Sequence, residues 1–559
     1  MEKTNAVRSV ALGFVIIASM FVLLNIAEEV SATTYVVDSS GGTPYMTIGQ
    51  ALAVASNGDI IQVNPGIGYT ETNVINVRVT IVGNGAIRPV VSAVSGSTNP
   101  VFDIQTRDVT IDFLEIIGTG TSSIAGVRSD VQTTEHDNIN IKNCTIHDFT
   151  NNGYGLLIKR TNPSYSYPTN HVIDNCEIYN CNTGVHIESD PNLPAIYPNH
   201  VVKKSNIHDI CNNGAGTMGH GIYNFGDKNQ FENNEISYCQ NNGIYLDKSE
   251  LCNIYDTNIN GHPCYIHNNS RGIYLYDCKD TTILGQSMSR MVTVIYNTND
   301  GIYIEDSDDN ELQYVDSANN TDYGIYFDNS DYNTLRSSEI TNNYYTYGDY
   351  STGNYVFLDS SNHNIIEDNY ILNSTGTSHI YIVGFESHNN TIDNNELDGD
   401  IYIGSGDDNT ITNMEFEYLY INYGEDNTVQ YCDILNSYGP LVTLHQAHGT
   451  YIKRVDFDGI DDDDNGIEIE DSKDVEISGY KSGSSFSIIQ NCDIALYVIS
   501  DDVSSSVFFH HYNIRDSNGD GLDITLYGTV SYSTTVTYNN LIGGFEEYDD
   551  DYSTWTWVP

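Results

Sequence analysis

Nine aromatic residues recur in one short context, a ring between two apolar residues, as in Gly243-Ile-Tyr-Leu-Asp247. In an alternating run of this kind the two apolar residues face the protein interior, so the ring between them faces outward. Outward rings bury the CH-rich faces of sugars, which makes them candidate ligand-binding residues for a glycan. These nine candidates are Tyr223, Tyr245, Tyr274, Tyr303, Tyr326, Phe357, Tyr381, Tyr402 and Tyr420.

Polar residues follow several of these rings two positions later and share their outward side. They are Asp247, Tyr276, Glu305, Asp328 and Asp359. Carboxylates accept hydrogen bonds from sugar hydroxyls, so rings flanked by carboxylates suit glycan contact. A second interpretation is structural, because stacked aromatic residues stabilise neighbouring strands by about 0.2–1 kcal/mol per pair. The sequence leaves both interpretations open.

One acidic stretch, Asp516-Ser-Asn518-Gly-Asp520-Gly521-Leu-Asp523, carries oxygen ligands at alternate positions. It resembles the first half of a calcium loop and predicts calcium ligands at Asp516, Asn518, Asp520 and Asp523. The twelfth position is Tyr527 rather than Glu, which excludes an EF-hand. The same stretch is also typical of an ordinary turn. Calcium is the only cofactor that the sequence suggests.

The elements that position these residues come from a repeat. Nine times, an apolar strand residue is followed eight positions later by another, beginning with the pair Leu246 and Ile254, and successive units are 18 to 31 residues apart. Runs of three to five residues separated by Asn, Asp, Gly and Ser bury a face only if successive coils stack. The predicted fold is therefore all-β, a solenoid of parallel strands. Three residues after the apolar residue of each second strand, an inward column is predicted at Cys144, Cys176, Asn234, Thr257, Asn369, Asn395, Cys432 and Val455.

The stretches NNGIYLDKSELCNI, DNNEI and GIYIEDSDDNEL resemble the right-handed parallel β-helix repeat family, which includes NosD-type and sugar-binding or sugar-hydrolysing proteins. The resemblance covers about residues 101–541 and implies a right-handed parallel β-helix, a scaffold that hosts many activities. A NosD-type resemblance also implies copper. The histidines are scattered, however, and no cluster of Met, Cys and His recurs, so copper is not expected.

Two fragments resemble parts of the polygalacturonase-type hydrolases: Asn299-Asp300-Gly301 and Gly219-His220-Gly221. Such enzymes require paired carboxylates in acid and base roles. The order of the fragments is wrong for that family, and the pair Asp308 and Asp309 falls in a turn. No catalytic residue is assigned from the sequence.

The chain divides into four predicted regions. Residues 1–32 are typical of a secretory signal peptide, with a retained N-terminal anchor as the alternative. Residues 33–100 contain an N-terminal cap and the first coils, and a helix predicted over Tyr45–Ser56 covers the open end of the solenoid. Residues 101–541 form the β-helix, and residues 542–559 form a C-terminal cap or a tail.

Composition excludes some classes of partner. The chain has 76 acidic and 22 basic residues, a net charge of −54, which disfavours nucleic acid and anionic lipid. No segment beyond the N-terminal one is apolar enough to span a membrane. Ten cysteines in an exported protein leave two alternatives open, buried free thiols and stacked disulfides.

The sequence thus predicts a secreted or cell-surface β-helix protein that contacts glycans or neighbouring surface polymers through an outward aromatic and acidic face, without enzymatic activity. The alternative is a polysaccharide-active hydrolase or lyase. These two differ in one feature: an enzyme should bring two or three acids together with a His or a base in one groove, whereas a binding protein shows only columns.

Overall fold

The computed structural model places the following residues: 32–119, 124–130, 138–160, 170–189, 199–211, 219–257, 261–343, 345–347, 350–372, 378–435, 439–459, 465–482, 485–492, 496–500, 506–510, 512–515, 520–526, 533–537, 544–548 and 556–558. Within these residues the chain coils repeatedly, and each coil adds short parallel strands to the coil before it. The strands form three columns, named faces 1, 2 and 3 in the order that the chain follows. The prediction of an all-β parallel β-helix is confirmed.

Face 1 holds one strand from each of 21 coils, and it forms a sheet of its own. Its strands are Thr34–Val37, Asp59–Val63, Val79–Gly83, Thr110–Asp112, Asn140–Lys142, Val172–Asp174, Val201–Lys203, Gln230–Glu232, Asn253–Tyr255, Thr282–Leu284, Glu311–Gln313, Thr334–Arg336, Ile365–Glu367, Thr391–Asp393, Thr410–Thr412, Thr428–Gln430, Tyr451–Lys453, Val475–Ser478, Ser506–His510, Ser533–Thr537 and Thr556–Val558.

Faces 2 and 3 belong to one sheet because two long strands, Thr145–Arg160 and Glu177–Ser189, run through both. The other face 2 strands are Tyr69–Thr70, Val90–Ser92, Glu115–Ile117, Asn206–Ile210, Glu235–Cys239, Tyr265–His267, Val292–Ile295, Val315–Ala318, Glu339–Thr341, Tyr370–Leu372, Glu396–Leu397, Glu415–Phe416, Asp433–Leu435, Asp456–Asp458, Ser485–Gln490 and Tyr512–Arg515.

The other face 3 strands are Asn73–Ile75, Phe102–Ile104, Ala125–Asp130, Ile222–Phe225, Asn242–Asp247, Arg271–Tyr276, Ile302–Glu305, Ile325–Asp328, Tyr350–Asp359, Ser378–Val383, Gly399–Gly404, Tyr418–Asn422, Val442–His445, Ile467–Glu470, Leu496–Ser500, Asp520–Leu526 and Gly544–Tyr548. Two further strands, Tyr345–Tyr347 and Lys481–Ser482, pair antiparallel with the strands that follow them. Two strands in the region predicted as a C-terminal cap or tail, Gly544–Tyr548 and Thr556–Val558, continue faces 3 and 1.

The core is a continuous stack of aliphatic side chains from all three faces. Ile244, Ile273 and Ile302 align in register on face 3, and each is fully buried. Burial of one such side chain stabilises the fold by about 1.5–3 kcal/mol. Because each coil contributes only a few of them, the stability of each coil depends on its neighbours.

Buried asparagines hold the corners between faces 3 and 1. The side-chain oxygen of Asn333 accepts from the backbone N–H of Asn310 at 2.9 Å, and Asn333 donates its own N–H to Asn364 at 2.8 Å. The ladder continues through Asn390, Asn409 and Asn427. Every buried amide in it thereby finds partners in the adjacent coils, as buried polar groups require.

The glycines that begin the Gly-Ile-Tyr runs do not serve to supply a left-handed backbone. Positive φ at the corners is supplied mainly by Asn and Asp, whereas Gly243, Gly272 and Gly301 do not have positive φ. A Cβ on Gly272 would lie 2.5 Å from the carbonyl oxygen of Gly301 in the next coil. Glycine is therefore used here because neighbouring coils approach closely.

The predicted inward column is correct at seven of its eight positions and wrong at Thr257. The seven buried residues are Cys144, Cys176, Asn234, Asn369, Asn395, Cys432 and Val455. In the coil of Thr257 the buried residue is Asp256 instead. In the preceding coil, the left-handed residue Asn233 comes directly before the inward residue Asn234. The coil of Asp256 has no left-handed residue at the equivalent position. Its inward residue therefore comes one residue earlier, at Asp256.

The N-terminal helix, α1, spans Ile48–Leu52, which is shorter than the predicted Tyr45–Ser56. Thr47 begins it with a capping box, because its side chain accepts from the N–H of Gln50 while the Gln50 side chain accepts from the N–H of Thr47. Ile48 and Leu52 are buried against the first strands. Coverage of the solenoid end by α1 remains a prediction, as does the division of the chain into four regions.

The ten cysteines are all free, and nine of them are buried; Cys211 is partly exposed. Burial raises the pKa of the Cys181 thiol to about 12, which keeps it protonated. Of the two alternatives left by the sequence, the structure has the buried thiols. Of the predicted signal peptide, residues 1–31 lie outside the described residues, and only Ala32 lies within them.

Candidate functional site

The nine predicted aromatic residues form one unbroken column on face 3. Each is the direct pairing partner of the next, from Tyr223 opposite Tyr245 to Tyr402 opposite Tyr420. At about 4.8 Å per coil, the column is about 38 Å long. Eight of the nine rings are partly exposed, and Tyr303 is buried to 8% exposure. The outward register predicted from the sequence is correct, whereas whether these residues bind a ligand remains a prediction.

The rings contact one another along the column. The ring centres of Tyr245 and Tyr274 are 4.7 Å apart with nearly parallel planes, and those of Tyr274 and Tyr303 are 5.1 Å apart. Between Tyr326 and Phe357 the contact is edge to face, at 5.1 Å. Where two rings stack, their faces cover one another. The structural interpretation of the column is therefore valid whether or not a glycan binds.

The predicted carboxylate column lies beside the rings, and it receives their hydroxyl groups. Tyr223 donates to Asp247 Oδ2 at 2.7 Å, and Tyr303 donates to Asp328 Oδ2 at 2.6 Å, in each case one coil further on. Tyr274 donates to Glu305 in the same way. Burial, followed by the bond to the carboxylate, raises the pKa of Tyr303 above its ordinary value. Burial also raises the pKa of Asp328, although the bond from Tyr303 opposes this.

A cluster of two acids and one arginine lies on the other side of the rings. Arg271 Nε donates to Asp300 Oδ2 at 2.9 Å, and its guanidinium group lies 4.3 Å from the ring centre of Tyr303. The Asp300 side chain is 4% exposed. Its second oxygen and Asp322 Oδ1 are both buried without a hydrogen-bond partner among the described residues. Unpaired buried oxygens of this kind call for a functional or structural explanation.

The electrostatics of this cluster favour a proton on Asp322. Burial is the main cause that raises the pKa of Asp322 to about 7, and the negative charge of Asp300 adds to it. Arg271 lowers the pKa of both acids, but burial still raises the pKa of Asp300 above its ordinary value. Asp322 is therefore a group that exchanges a proton near neutral pH, as a general acid or base does.

The sequence did not single out Arg271 or Asp322. A signal was present for Arg271 alone, because Asn242, Arg271, Asp300 and Tyr323 each directly precede the glycine of a Gly-Ile-Tyr run, whereas Asp322 lies one residue earlier. Stacked coils place that position in a column of its own. The Gly-His-Gly fragment is not part of the cluster, because His220 and Asp300 are three coils apart, or about 14 Å. Asp308 and Asp309 lie at a different corner, where Asp309 pairs with Lys279.

Metal sites are not evident in the part of the chain that the structure describes, where no group of three or more His, Cys, Asp or Glu side chains is arranged to hold an ion. Of the predicted calcium ligands, Asp516 and Asn518 lie outside the described residues. Asp520 and Asp523 belong to the strand Asp520–Leu526, of which only the backbone is described. The calcium site remains a prediction.

The repeat region matches two known family models. Residues 121–287 match the right-handed β-helix region. The next stretch, residues 290–384, matches the model described as periplasmic copper-binding protein (NosD). The two matches adjoin one another and contain seven of the nine face 3 rings, from Tyr223 to Tyr381. They confirm the resemblance that the repeats indicated.

The solved structures that resemble this chain are distant from it in sequence. The A-module of a mannuronan C-5 epimerase from Azotobacter vinelandii is 12% identical, with 81% of this chain and 93% of that chain covered and a TM-score of 0.29. Pectate lyase Pel9A is 15% identical, with 60% and 77% covered and a TM-score of 0.31. The pectin methylesterase from carrot is 16% identical, with 50% and 83% covered and a TM-score of 0.26. No functional conclusion follows from likenesses at this level.

Two further findings are negative. None of the curated proteins compared with the chain matches it. Among the described residues, no helix has the length and apolar character needed to cross a membrane.

Proposed function

We propose that face 3 contacts an extended glycan that lies along the helix axis, and that the protein acts outside the cytoplasm, secreted or at the cell surface. The observation that carries the proposal is the run of nine aligned aromatic residues with carboxylates beside them. One coil rises about 4.8 Å, which is close to the length of one pyranose unit in an extended chain. Successive sugar units would therefore meet equivalent protein groups.

The chemistry of face 3 is suited to polyols. Phenol hydroxyl groups both donate and accept hydrogen bonds, and carboxylates accept them. The bond from Tyr303 to Asp328 orients both groups before any ligand arrives, which reduces the entropy cost of binding. The net charge of −54 disfavours polyanions, so a neutral or weakly acidic glycan is the expected partner.

The test replaces hydroxyl groups while keeping the rings. In a triple variant, Tyr223→Phe with Tyr274→Phe and Tyr303→Phe, the stack remains but three hydroxyl groups disappear. At about 0.5–1.5 kcal/mol per hydrogen bond, binding of a retained polysaccharide should weaken roughly tenfold or more. Affinity electrophoresis through gels containing a soluble polysaccharide measures this loss.

Tyr332→Phe is the matched control, because Tyr332 is an exposed tyrosine at the corner between faces 3 and 1, outside the aromatic column. It should bind as the parent chain does. Binding of the triple variant that equals the parent, at an unchanged unfolding midpoint, would remove face 3 from the proposal.

A second function, polysaccharide cleavage, is favoured by one observation: Asp300 and Asp322 converge beside Arg271, at the edge of the rings. In this reading Asp322, with a pKa of about 7, would donate a proton to the leaving glycosidic oxygen. Release of reducing ends from polysaccharides tests it directly. Activity that disappears in both Asp322→Asn and Asp300→Asn supports cleavage, and the absence of any release by the intact chain dismisses it.

A further inference from the structure

Two tyrosines at the corner between faces 2 and 3 are unusually exposed. Tyr238 is 57% exposed and Tyr296 is 53% exposed, and both have left-handed backbone, with φ of 53° and 56°. Bulky residues are uncommon in that conformation. The equivalent positions of neighbouring coils hold Asn180, Asp209, Asn268, Asn319 and Asn342, all with positive φ. The fold is satisfied by asparagine at this corner, so it does not itself require the two rings.

A third tyrosine lies near them on face 2. Tyr265 is in register with Glu235, and its ring centre lies 4.2 Å from that of His267. After burial, the charges that raise the pKa of Tyr265 are those of Tyr296, Glu235, Asp316 and Tyr238. We name the three tyrosines Tyr238, Tyr265 and Tyr296 the face 2 patch.

Two rings of the face 2 patch, those of Tyr238 and Tyr296, differ from the face 3 rings in what covers them. Among the described residues, no aromatic or cationic side chain stacks on Tyr296, and Tyr238 meets only the edge of His267, at 6.1 Å. The face 3 rings, in contrast, stack on one another. The face 2 patch therefore offers ring surface to a ligand, which is what a sugar ring needs in order to stack.

The spacing of the exposed rings also fits a polymer. Tyr238 and Tyr296 are two coils apart, or about 9.6 Å. In an extended polysaccharide, alternate units turn the same side toward a flat surface, and their separation is about twice the length of one unit. Two rings at this separation can contact alternate units of one chain.

A polar cleft lies at the opposite edge of face 2 from Tyr238 and Tyr296, next to the strand that carries Tyr265. It has a volume of about 300 Å³, and Glu235, which pairs with His267 at 3.6 Å, belongs to its lining. Arg88, Lys204 and Glu177 also line it. Acidic and basic groups together supply both donors and acceptors, which suits the hydroxyl groups of a neutral sugar.

We infer that the face 2 patch forms a second binding site, for a neutral polysaccharide chain that runs along the helix axis, with the polar cleft at the edge of the site beside Tyr265. The inference goes beyond the proposed function, because the site lies on a different face and uses exposed ring surface rather than oriented hydroxyl groups.

The experiment uses the intact chain and a double variant, Tyr238→Asn with Tyr296→Asn. Because asparagine occupies this corner in several nearby coils, among them that of Asn268 between the two tyrosines, the variant should fold with an unfolding midpoint at or above that of the parent. Affinity electrophoresis is run in gels containing xylan, a mixed-linkage glucan, a mannan or polygalacturonate. Binding to at least one of the three neutral polymers should weaken tenfold or more. Tyr332→Asn, which changes a left-handed exposed tyrosine elsewhere, should leave binding unchanged.

Running the double variant in the background of the face 3 triple variant separates the two proposals. Loss through the face 2 substitutions alone supports the second site and counts against face 3, whereas loss through the face 3 substitutions alone overturns the second site. Retention of none of the neutral polymers overturns it as well. Retention of a lysine-rich peptide in place of any neutral polymer would also overturn it, since the acidic groups around the patch would then be binding a protein.

Discussion

The hydroxyl group of Tyr303 donates to Asp328 Oδ2 at 2.6 Å, from one coil to the next. This bond joins the aromatic column to the carboxylate column, and the same link recurs between Tyr223 and Asp247. Face 3 is thus a set of oriented donor and acceptor pairs at coil spacing. Neither column alone has this property.

Removing only the hydroxyl group measures the strength of that link. Tyr303→Phe keeps the ring stack and leaves the half-buried Asp328 without its donor, so the free energy of unfolding should fall by about 1–2 kcal/mol. Tyr303→Ala removes the ring as well and should cost about 3–5 kcal/mol. Urea unfolding of the three proteins checks both values. Equal stability of Tyr303→Phe and the parent would show that the bond contributes nothing.

The Asp322 carboxyl predicts a dependence of stability on pH. Its ordinary pKa of 3.8 is raised to about 7 in the folded state, so the folded state binds more protons than the unfolded state between these values. Its contribution to stability is therefore present at low pH and is lost as the pH rises through about 7. Asp322→Asn should raise the unfolding midpoint at pH 8 and change it little at pH 4. An equal effect at both pH values would contradict the raised pKa.

The asparagine ladder predicts a large effect from one amide. Asn333 accepts from Asn310 and donates to the carbonyl of Ser307 at 2.9 Å. Asn333→Ala leaves these buried groups unpaired and should destabilise the chain by about 3 kcal/mol. Asn253→Ala, on an outward strand position of face 1, is the control and should change stability by less than about 0.5 kcal/mol. Similar values for the two variants would contradict the ladder's importance.

Close approach of the coils predicts that Gly301 cannot be replaced. A Cβ there would lie 2.6 Å from Asn320 Nδ2 and 2.7 Å from the carbonyl oxygen of Gly324. Gly301→Ala should therefore cost at least about 1–3 kcal/mol of stability, as overpacking does. Gly439→Ala, with nothing within 4 Å of the added carbon, should be tolerated. Thermal unfolding of both variants distinguishes steric crowding from a general need for glycine.

The repeat made much of this architecture predictable, because the eight-residue offset and the Gly-Ile-Tyr runs fix which side chains alternate inward. The register of all nine aromatic residues followed from that alternation. The failure at Thr257 has a local cause, since the position of the corner depends on whether a residue adopts positive φ. That conformation is not visible in the spacing of apolar residues.

The cluster around Arg271 was not predictable in the same way. Arg271, Asp300 and Asp322 come from three successive coils, and their meeting depends on the alignment of corners rather than on a local motif. Likewise, the hydrogen bonds from Tyr223 and Tyr303 depend on the pairing of successive coils. Sequence alone supplies the columns, and three-dimensional stacking supplies the contacts between them.

The most direct test of glycan contact on face 3 is carboxyl footprinting with a carbodiimide, read by mass spectrometry, with and without a polysaccharide that the protein retains. The account predicts that bound glycan protects Glu305 and Asp328, while the exposed corner residues Asp277 and Asp306 react equally in both samples. Unchanged labelling of Glu305 and Asp328 in the presence of bound glycan would contradict it.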